Sequence, residues 1–240
     1  MLPPDRADKL SRARRYPYDF PGRSYGWHGA GLRPFAAADC AGRTPVLAVG
    51  SNRAPERLLQ KYGDAHDRII PVQRAHMVNF DIVYAAHVTA YGAIPAMLQY
   101  APGVTVDLTV TWLDPHQLEV MHATEGNYHF ALLENVRVDL DGGGSLDAVH
   151  LYVGRRGHLV HAGTAVGLAA MTASGRPYPA CTTAEMLDAV HRRLAPDLDP
   201  EEFILRLIDD DGFRRDCTDL LSADAVPFAY PFKVFGSFDC

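Results

Sequence analysis

Strand-like segments joined by short connections fill the middle of this 240-residue chain and restrict the folds open to it. In segment 104–113 the apolar residues alternate with polar ones, which is the period of a strand with one buried face. The other such segments are 45–49, 68–72, 77–84, 96–101, 129–140 and 146–153. Connections this short favour a mixed or antiparallel sheet that closes on itself over a βαβ array. We therefore expect an α+β fold built on a small β-barrel.

Helical patterns flank this β-rich part. Capping residues, first-turn prolines and apolar periodicity predict helices at 55–62, 116–123, 183–194 and 200–209, with a short helix near 5–15. Either Ser51 or Asn52 is expected to cap the helix at 55–62. The sequence thus divides into an irregular N-terminal extension (1–44), a barrel core (45–160) and a helical C-terminal extension (161–240). The extension at the C-terminus ends in an aromatic tail, expected to pack on the sheet or on a partner. The tail comprises Phe228, Tyr230, Phe232, Phe235 and Phe238.

Composition narrows the class of partner. The net charge of -6 and the pI near 6.0 argue against nucleic-acid binding, which needs clustered Lys and Arg, and favour a small-molecule substrate. No run of 18 apolar residues and no signal peptide is evident, so we expect no membrane partner and a cytoplasmic protein. Four scattered cysteines are typical of reduced thiols. Residues 1–44 are basic and 181–240 are acidic, which favours docking of the two ends on each other or in a homodimer.

The apolar segment 45–49 runs directly into Gly50-Ser51-Asn52. A strand that turns into a helix in this way exposes successive backbone N–H groups, which favour a carboxylate or a developing oxyanion. Taken alone, this tripeptide is more often an ordinary turn and cap. It is therefore a candidate binding loop that needs a second group nearby.

Glu125 is the candidate for that second group. Leu118, Met121, His122 and Glu125 share the spacing i, i+3, i+4, i+7, so the acid continues a stripe of a helix that carries apolar residues. Burial there would disfavour the charged carboxylate, which suits a general acid/base at neutral pH. The alternative is that the helix ends before Glu125 and leaves the side chain in solvent. Periodicity alone favours neither.

Several motifs follow one another in a characteristic order over residues 45–153. They are Gly50-Ser51-Asn52 after a strand, Ile94-Pro95-Ala96-Met97-Leu98 before Ala101-Pro102-Gly103, a strand to Trp112, Leu118, Glu125-Gly126 with Tyr128, and Val149-His150-Leu151-Tyr152-Val153. This order and spacing resembles the γ-glutamylcyclotransferase-like family. The resemblance covers less than half of the chain. It implies a small β-barrel with flanking helices and an enzyme that releases 5-oxoproline from γ-glutamyl amines or related amides.

The resemblance also implies roles for individual residues. Glu125 corresponds to the catalytic general acid/base, and Tyr152 to an aromatic residue beside the cavity. The substrate-binding candidates are Gly50, Ser51, Asn52, Arg53, Tyr128 and Tyr152. The implied reaction needs neither metal nor organic cofactor. This chain departs from the family in having Val49 in place of a tyrosine before the loop and Arg53 in place of an apolar residue after it.

Other interpretations stay open at this point. The barrel could serve as a non-catalytic binding or interaction module, or as an amide hydrolase that uses the same pocket. His150, His158 and His161 are close in sequence but lack an accompanying acid or cysteine, so a metal site there is disfavoured. The run 209–212 resembles a calcium loop only superficially, and a solvated helix end is the better reading. No motif supports Cys40 or Cys181 as a nucleophile.

Overall fold

The computed structural model describes residues 5–237, and strands occupy most of its middle part. Numbered along the chain, the strands are β1 (Tyr25–His28), β2 (Gly31–Pro34), β3 (Thr44–Ala48), β4 (Ile70–Tyr84), β5 (Ala96–Leu113), β6 (Tyr128–Leu140), β7 (Ser145–Gly154), β8 (Val160–His161), β9 (Thr164–Ala165), β10 (Gly167–Leu168), β11 (Ala173–Ser174), β12 (Ala180–Cys181) and β13 (Lys233–Ser237). The helices are α1 (Arg6–Arg14), α2 (Pro55–Tyr62), α3 (Pro115–His122), α4 (Thr183–Leu194), α5 (Pro200–Asp209) and α6 (Asp211–Ser222). Within this part of the chain, no helix combines the length and apolar character needed to cross a bilayer.

Five of the strands close into a barrel. Their order is β5, β3, β7, β6 and β4, and β4 pairs again with β5 to complete the ring. The contact between β3 and β7 is parallel, with Val46 opposite His150, and the other four are antiparallel. Closure leaves no free edge in the ring, so its backbone groups are paired on both sides. The expected α+β fold with a barrel that closes on itself is confirmed.

Strands β4 and β5 are each continuous, although the sequence pattern divided each of them in two. The polar residues around Arg74 interrupt the apolar pattern, yet Arg74 pairs with Thr109 in the ladder. The only irregularity along this ladder is a bulge at Asn79, which adopts a positive φ of 65°. Its side chain accepts a hydrogen bond of 3.0 Å from the backbone N–H of Gly103 on the partner strand. The predicted break after residue 101 of β5 therefore lies opposite this bulge, whereas the predicted break around Arg74 of β4 is a regular part of the same hairpin.

The prediction of an irregular segment before the barrel is partly wrong. Strand β1 pairs with β4, which places Tyr25 opposite Val72, and β2 pairs with β1. Tyr25 and Trp27 are buried at 3% and 2% exposure, so aromatic burial extends the sheet beyond the ring. The predicted N-terminal helix is present as α1.

The two ends of the chain dock on each other, as their opposite charges predict. Helix α1 contacts α5 through Arg6 with Glu201 at 3.0 Å and Lys9 with Asp209 at 2.5 Å. Exposed pairs of this kind contribute only about 0–1 kcal/mol each. Apolar burial around Leu10 therefore provides most of the contact's stability.

The C-terminal extension contains one helix more than the sequence analysis predicted. Segment 209–212 is the solvated end of α5, as predicted, and the Asp211 side chain is 78% exposed. It is also the start of α6, because the Asp210 side chain accepts from the Phe213 N–H at 3.0 Å and caps that helix. The aromatic tail packs partly on the core, and β13 adds to the sheet by pairing with β6. Phe235 is 62% exposed, and Phe238 lies outside the described residues.

Candidate active site

A cavity of about 390 Å³ opens beside the turn between β3 and α2. Its walls come from that turn, from the segment that follows α3, from β7 and from α1. Six of the predicted site residues line it: Gly50, Ser51, Asn52, Glu125, Tyr128 and Tyr152. The barrel thus brings together two loops that lie more than seventy residues apart in the sequence.

The Gly50 loop has a different local structure from the one predicted. Ser51–Arg53 forms a single 3₁₀ turn, closed by a 2.8 Å hydrogen bond from the Ala54 N–H to the Ser51 carbonyl. Helix α2 begins only at Pro55, and its N-cap residue Ala54 offers no side-chain cap. Capping by Ser51 or Asn52 is therefore wrong. Freed from that role, the Asn52 side chain extends into the cavity.

Glu125 lies one turn beyond the end of α3, yet its side chain is buried. Hydrogen bonds of the i to i+3 type continue the chain past the helix, with Glu125 N–H donating to the His122 carbonyl at 3.1 Å. Only 8% of the residue is exposed. The sequence left open whether the helix continues to a buried Glu125 or ends before an exposed one. The helix does end before Glu125, and the side chain is nevertheless buried.

Two donors converge on one oxygen of that carboxylate. Asn52 donates from Nδ2 to Glu125 Oε1 at 3.1 Å, and Lys61 donates from Nζ to the same oxygen at 2.7 Å. Within residues 5–237, the second oxygen Oε2 accepts no hydrogen bond. The carboxylate is therefore held at a known orientation with one oxygen left for a ligand.

Lys61 is a functional candidate that sequence reasoning missed. Its side chain has no exposed area, and burial lowers the pKa of its ammonium from 10.5 to about 8, with Glu125 acting in the opposite direction. It lies in the last turn of α2, where a lysine is ordinary. No sequence signal distinguished it, because its partner lies on another segment.

The N-terminal extension supplies a phenol to the Gly50 loop. Tyr16 lines the cavity, and its oxygen accepts a 2.9 Å hydrogen bond from the Ala96 N–H. A Cβ added at Gly50 would overlap that oxygen, so glycine is required for this close approach. This chain has Val49 where the family resemblance implies a tyrosine before the loop. The phenol of Tyr16 lies instead beside Gly50, the next residue. Burial raises the pKa of Tyr16 well above 10.0, which keeps the phenol neutral.

Aromatic and imidazole side chains complete the wall. Tyr152 is 5% exposed and its hydroxyl lies 2.7 Å from Nδ1 of His122, while Tyr128 donates to the Ala96 carbonyl at 3.3 Å. His87, also missed from the sequence, packs edge-to-face on Tyr128. Burial lowers the pKa of His87 to about 3, so this imidazole is neutral, and its buried Nε2 has no hydrogen-bond partner among the described residues.

Arg53 does not line the cavity. Its guanidinium stacks over the ring of Phe20 at 3.3 Å from the centroid and lies near the Ala170 carbonyl. Burial lowers the pKa of Arg53 to about 9. The 3₁₀ turn sends Asn52 and Arg53 in different directions, so the expectation that Arg53 contacts substrate is not met by its position.

The other chemistry-bearing residues lie elsewhere. Within residues 5–237, no group of three or more His, Cys, Asp or Glu side chains has the arrangement needed for a metal. His158 is held by Gln99 at 2.8 Å, and His150 stacks on Phe130. Cys40 and Cys181 are free, and burial raises the pKa of each thiol to about 11, which disfavours a thiolate nucleophile.

Similarity to known proteins is found among solved structures. No protein-family model and no curated protein matches the sequence. A solved structure titled γ-glutamyl cyclotransferase is similar at 16% identity and a TM-score of 0.37, over 80% of this chain and 92% of that one. An uncharacterised protein from Homo sapiens has the same coverage and identity, with a TM-score of 0.36.

A protein from Arabidopsis thaliana, solved in solution, is similar at 18% identity and a TM-score of 0.36. The match covers 46% of this chain and 61% of that protein, so this chain spans less than two thirds of its length. Similarity at these TM-scores gives no information on function, so the geometry of the cavity is the basis for a functional proposal.

Proposed function

We propose that this protein is a γ-glutamylcyclotransferase-like enzyme that releases 5-oxoproline from a γ-glutamyl amine or related amide, with Glu125 as general acid/base. The observation that carries the proposal is the carboxylate itself: it is 8% exposed, lines the cavity and keeps Oε2 free while Oε1 is held. A buried acid in a cavity that also contains neutral phenols is suited to proton transfer.

The reaction is a ring closure within the substrate. Glu125 accepts a proton from the α-ammonium group, and the free amine then attacks the γ-carbonyl carbon. The bond from that carbon to the leaving nitrogen breaks as Glu125 returns the proton to it. The attacking nitrogen loses a second proton as the ring closes, and the released amine becomes an ammonium ion at neutral pH. No water is consumed, which distinguishes the reaction from hydrolysis.

Holding the substrate in a folded conformation supplies much of the rate. Intramolecular attack has a high effective molarity, which can contribute about 7–11 kcal/mol when the reacting atoms are kept close. The backbone N–H groups of Gly50 and Ser51 are the candidates to hold the oxyanion of the tetrahedral intermediate. Tyr16, Tyr128 and Tyr152 would orient the chain of the substrate and exclude water.

Lys61 and Asn52 position the acid. Their two hydrogen bonds to Oε1 fix the carboxylate plane, so that Oε2 is presented to the substrate ammonium. The Lys61 ammonium also compensates the charge of Glu125 in a buried place, which an unpaired carboxylate would occupy only at high cost. We assign both as positioning residues.

The test is the substitution Glu125→Gln, which keeps the shape of the side chain and removes its proton chemistry. We expect 5-oxoproline release from γ-glutamyl amides to fall by about 100- to 10,000-fold, the range of general acid/base catalysis. Glu119→Gln on α3, the helix that precedes Glu125, is the matched control, because Glu119 is 79% exposed at its side chain and lies outside the cavity. Full turnover by the Glu125→Gln variant would overturn the assignment.

Product analysis separates the alternatives that the sequence left open. An open-chain glutamate product would indicate an amide hydrolase on the same pocket, and binding without any product would indicate a non-catalytic module. The non-catalytic module is favoured by one difference from the family pattern, which is Val49 in place of a tyrosine before the loop. A small-molecule substrate, a homodimer and a cytoplasmic location remain part of the proposal, to be checked by sedimentation and cell fractionation.

A further inference from the structure

A second and smaller cavity adjoins the guanidinium of Arg53 and is called the Arg53 cavity below. Its volume is about 130 Å³. Its walls come from the segment after α1, the 3₁₀ turn, the middle of β4 and β5, and the residues before β11. It shares no lining residue with the cavity that contains Glu125. The Arg53 cavity is therefore separate from the candidate active site.

The Arg53 guanidinium is a buried cation without a carboxylate partner. Only 3% of the residue is exposed. Its polar contacts within residues 5–237 are made by Nη2, with the Ala170 carbonyl at 3.4 Å and with the Met171 sulfur. Neither Nε nor Nη1 donates a hydrogen bond in this part of the chain, and Nε is buried. Buried donors of a charged group are unfavourable unless an acceptor satisfies them.

The geometry of the guanidinium determines which acceptor fits. The ring of Phe20 covers one face of it, at 3.3 Å from the ring centroid. A stack of this kind leaves the N–H donors free, because they lie in the guanidinium plane. The planar fork of these donors matches the two oxygens of a carboxylate or of another oxyanion. The unused donors of Arg53 are therefore suited to an anion.

The other charged groups of the Arg53 cavity favour an anion with a single charge. Arg74 and Asp107 also line it, and Nη2 of Arg74 lies 3.5 Å from Oδ2 of Asp107. The other oxygen of Asp107 lies 2.7 Å from Nδ1 of His76. The charges of Arg74 and Asp107 thus compensate each other and leave that of Arg53. One negative charge balances it, whereas a dianion such as hydrogen phosphate is repelled more strongly by Asp107.

The remaining wall favours a small organic acid. Phe20 and Ala170 line the cavity, and apolar groups of this kind favour a hydrocarbon part in the ligand. A volume of about 130 Å³ accommodates about four water molecules, so the ligand has few non-hydrogen atoms. A short aliphatic carboxylate meets the requirements of size, charge and apolar contact.

We propose that the Arg53 cavity is a binding site for a small monocarboxylate such as propionate, held by the guanidinium of Arg53. Arg53 follows Asn52 in the 3₁₀ turn, so the site lies one residue from a hydrogen-bond donor to Glu125. The inference does not depend on the proposed function, because it uses none of the residues that line the active-site cavity.

The test is thermal melting of the wild-type protein in increasing sodium propionate. Propionate should raise the melting temperature with a saturable dependence and a Kd in about the millimolar range, because a ligand of so few atoms has limited affinity. Sodium chloride at the same ionic strength and the neutral analogue propionamide should not reproduce this saturable rise. They separate binding of the carboxylate from general effects of salt and of the hydrocarbon group.

The substitution Arg53→Gln removes the cation. It should raise the Kd for propionate by about tenfold or more, as the loss of hydrogen bonds to a charged group implies. Arg137→Gln is the matched control, because Arg137 is 73% exposed at its side chain, pairs with Asp139 at 2.8 Å and lies outside the Arg53 cavity. It should bind propionate as the wild type does.

A second pair of variants keeps Arg53 and tests the site even if Arg53→Gln does not fold. Thr172 is exposed and lines the Arg53 cavity. Thr172→Glu adds a carboxylate at the cavity and should raise the Kd for propionate, whereas the neutral Thr172→Gln should raise it less. Four results would overturn the proposal: no saturable effect on the wild type, an equal effect on Arg53→Gln, equal Kd values in the two Thr172 variants, or tighter binding of inorganic phosphate than of propionate.

Discussion

The sequence shows both the N-terminal and the C-terminal extension as segments that flank the barrel. In the described part of the structure, only the N-terminal extension of these two lines the active-site cavity. The N-terminal extension contributes Arg12 and Tyr16 to its wall. In the described chain, none of the residues from 155 to 237 lines it. The C-terminal extension instead holds α1 in place, through Arg6 with Glu201 and through the hydrogen bond of 2.8 Å from Thr183 Oγ1 to the Tyr16 carbonyl.

The N-terminal extension therefore contributes to the site, whereas the C-terminal extension supports the fold. The acid and the loop amides come from the barrel and its turns, whereas the charged and phenolic groups that distinguish this chain come from α1 and the residues after it. The C-terminal helices contribute buried contacts. Substitutions in the two extensions should therefore have different effects, one on reaction and recognition and the other on stability.

The largest effect on stability is expected at Arg176. Its guanidinium makes two hydrogen bonds, of 2.6 Å and 2.7 Å, to the fully buried carboxylate of Asp81 on β4. Arg176→Gln leaves that carboxylate without its cation, which should lower the free energy of unfolding by about 3–5 kcal/mol. Urea denaturation measures the loss. Turnover per folded molecule should be unchanged, and a loss of turnover without a loss of stability would break the comparison between the two extensions.

A smaller effect, dependent on pH, is expected at Lys61. Burial lowers its pKa from 10.5 to about 8, so between these pH values the unfolded chain binds a proton that the folded protein has released. The free energy of unfolding should therefore rise with pH across this window, by at most about 3 kcal/mol. The variant Lys61→Met lacks this dependence. Urea denaturation of both proteins at about pH 7.5 and about pH 10 checks the sign, and parallel changes would contradict it.

The smallest of these effects is expected for Tyr16→Phe. The change removes the oxygen that accepts from the Ala96 N–H and leaves a buried donor unsatisfied. We expect the free energy of unfolding to fall by about 1–3 kcal/mol, together with a loss of activity if the phenol contacts substrate. Tyr100→Phe is a suitable control, because its ring packs beside Phe80, away from the cavity. An unchanged stability in Tyr16→Phe would mean that the hydrogen bond from the Ala96 N–H to Tyr16 contributes little to the fold.

Much of the framework was predictable because its signals are local. Helices α2, α4 and α5 have the predicted bounds, since proline near the first turn or a capping box begins each of them. The missed helix α6 follows α5 after a single residue, Asp210. One residue is too short a connection to be recognised as a boundary when both neighbours are polar.

The site was less predictable, because its decisive contacts join distant segments. Lys61 and Glu125 are 64 residues apart, and Tyr16 and Ala96 are 80 apart. Neither pair produces a pattern within a window of the sequence. The burial of Glu125 was likewise undecided by periodicity, since the helix stops before it.

Periodicity, turn residues and capping chemistry were enough to identify the strands of the barrel, most of its helices and the two segments that carry the candidate acid and loop. These features depend on interactions between residues close in the chain, so a short window of the sequence is enough to detect them. Folding alone decided that Asn52 faces the cavity while Arg53 turns away, and that α1 brings Arg12 and Tyr16 to it. These outcomes depend on which surfaces of the closed barrel the flanking segments cover. That is a property of the whole chain and not of any short segment.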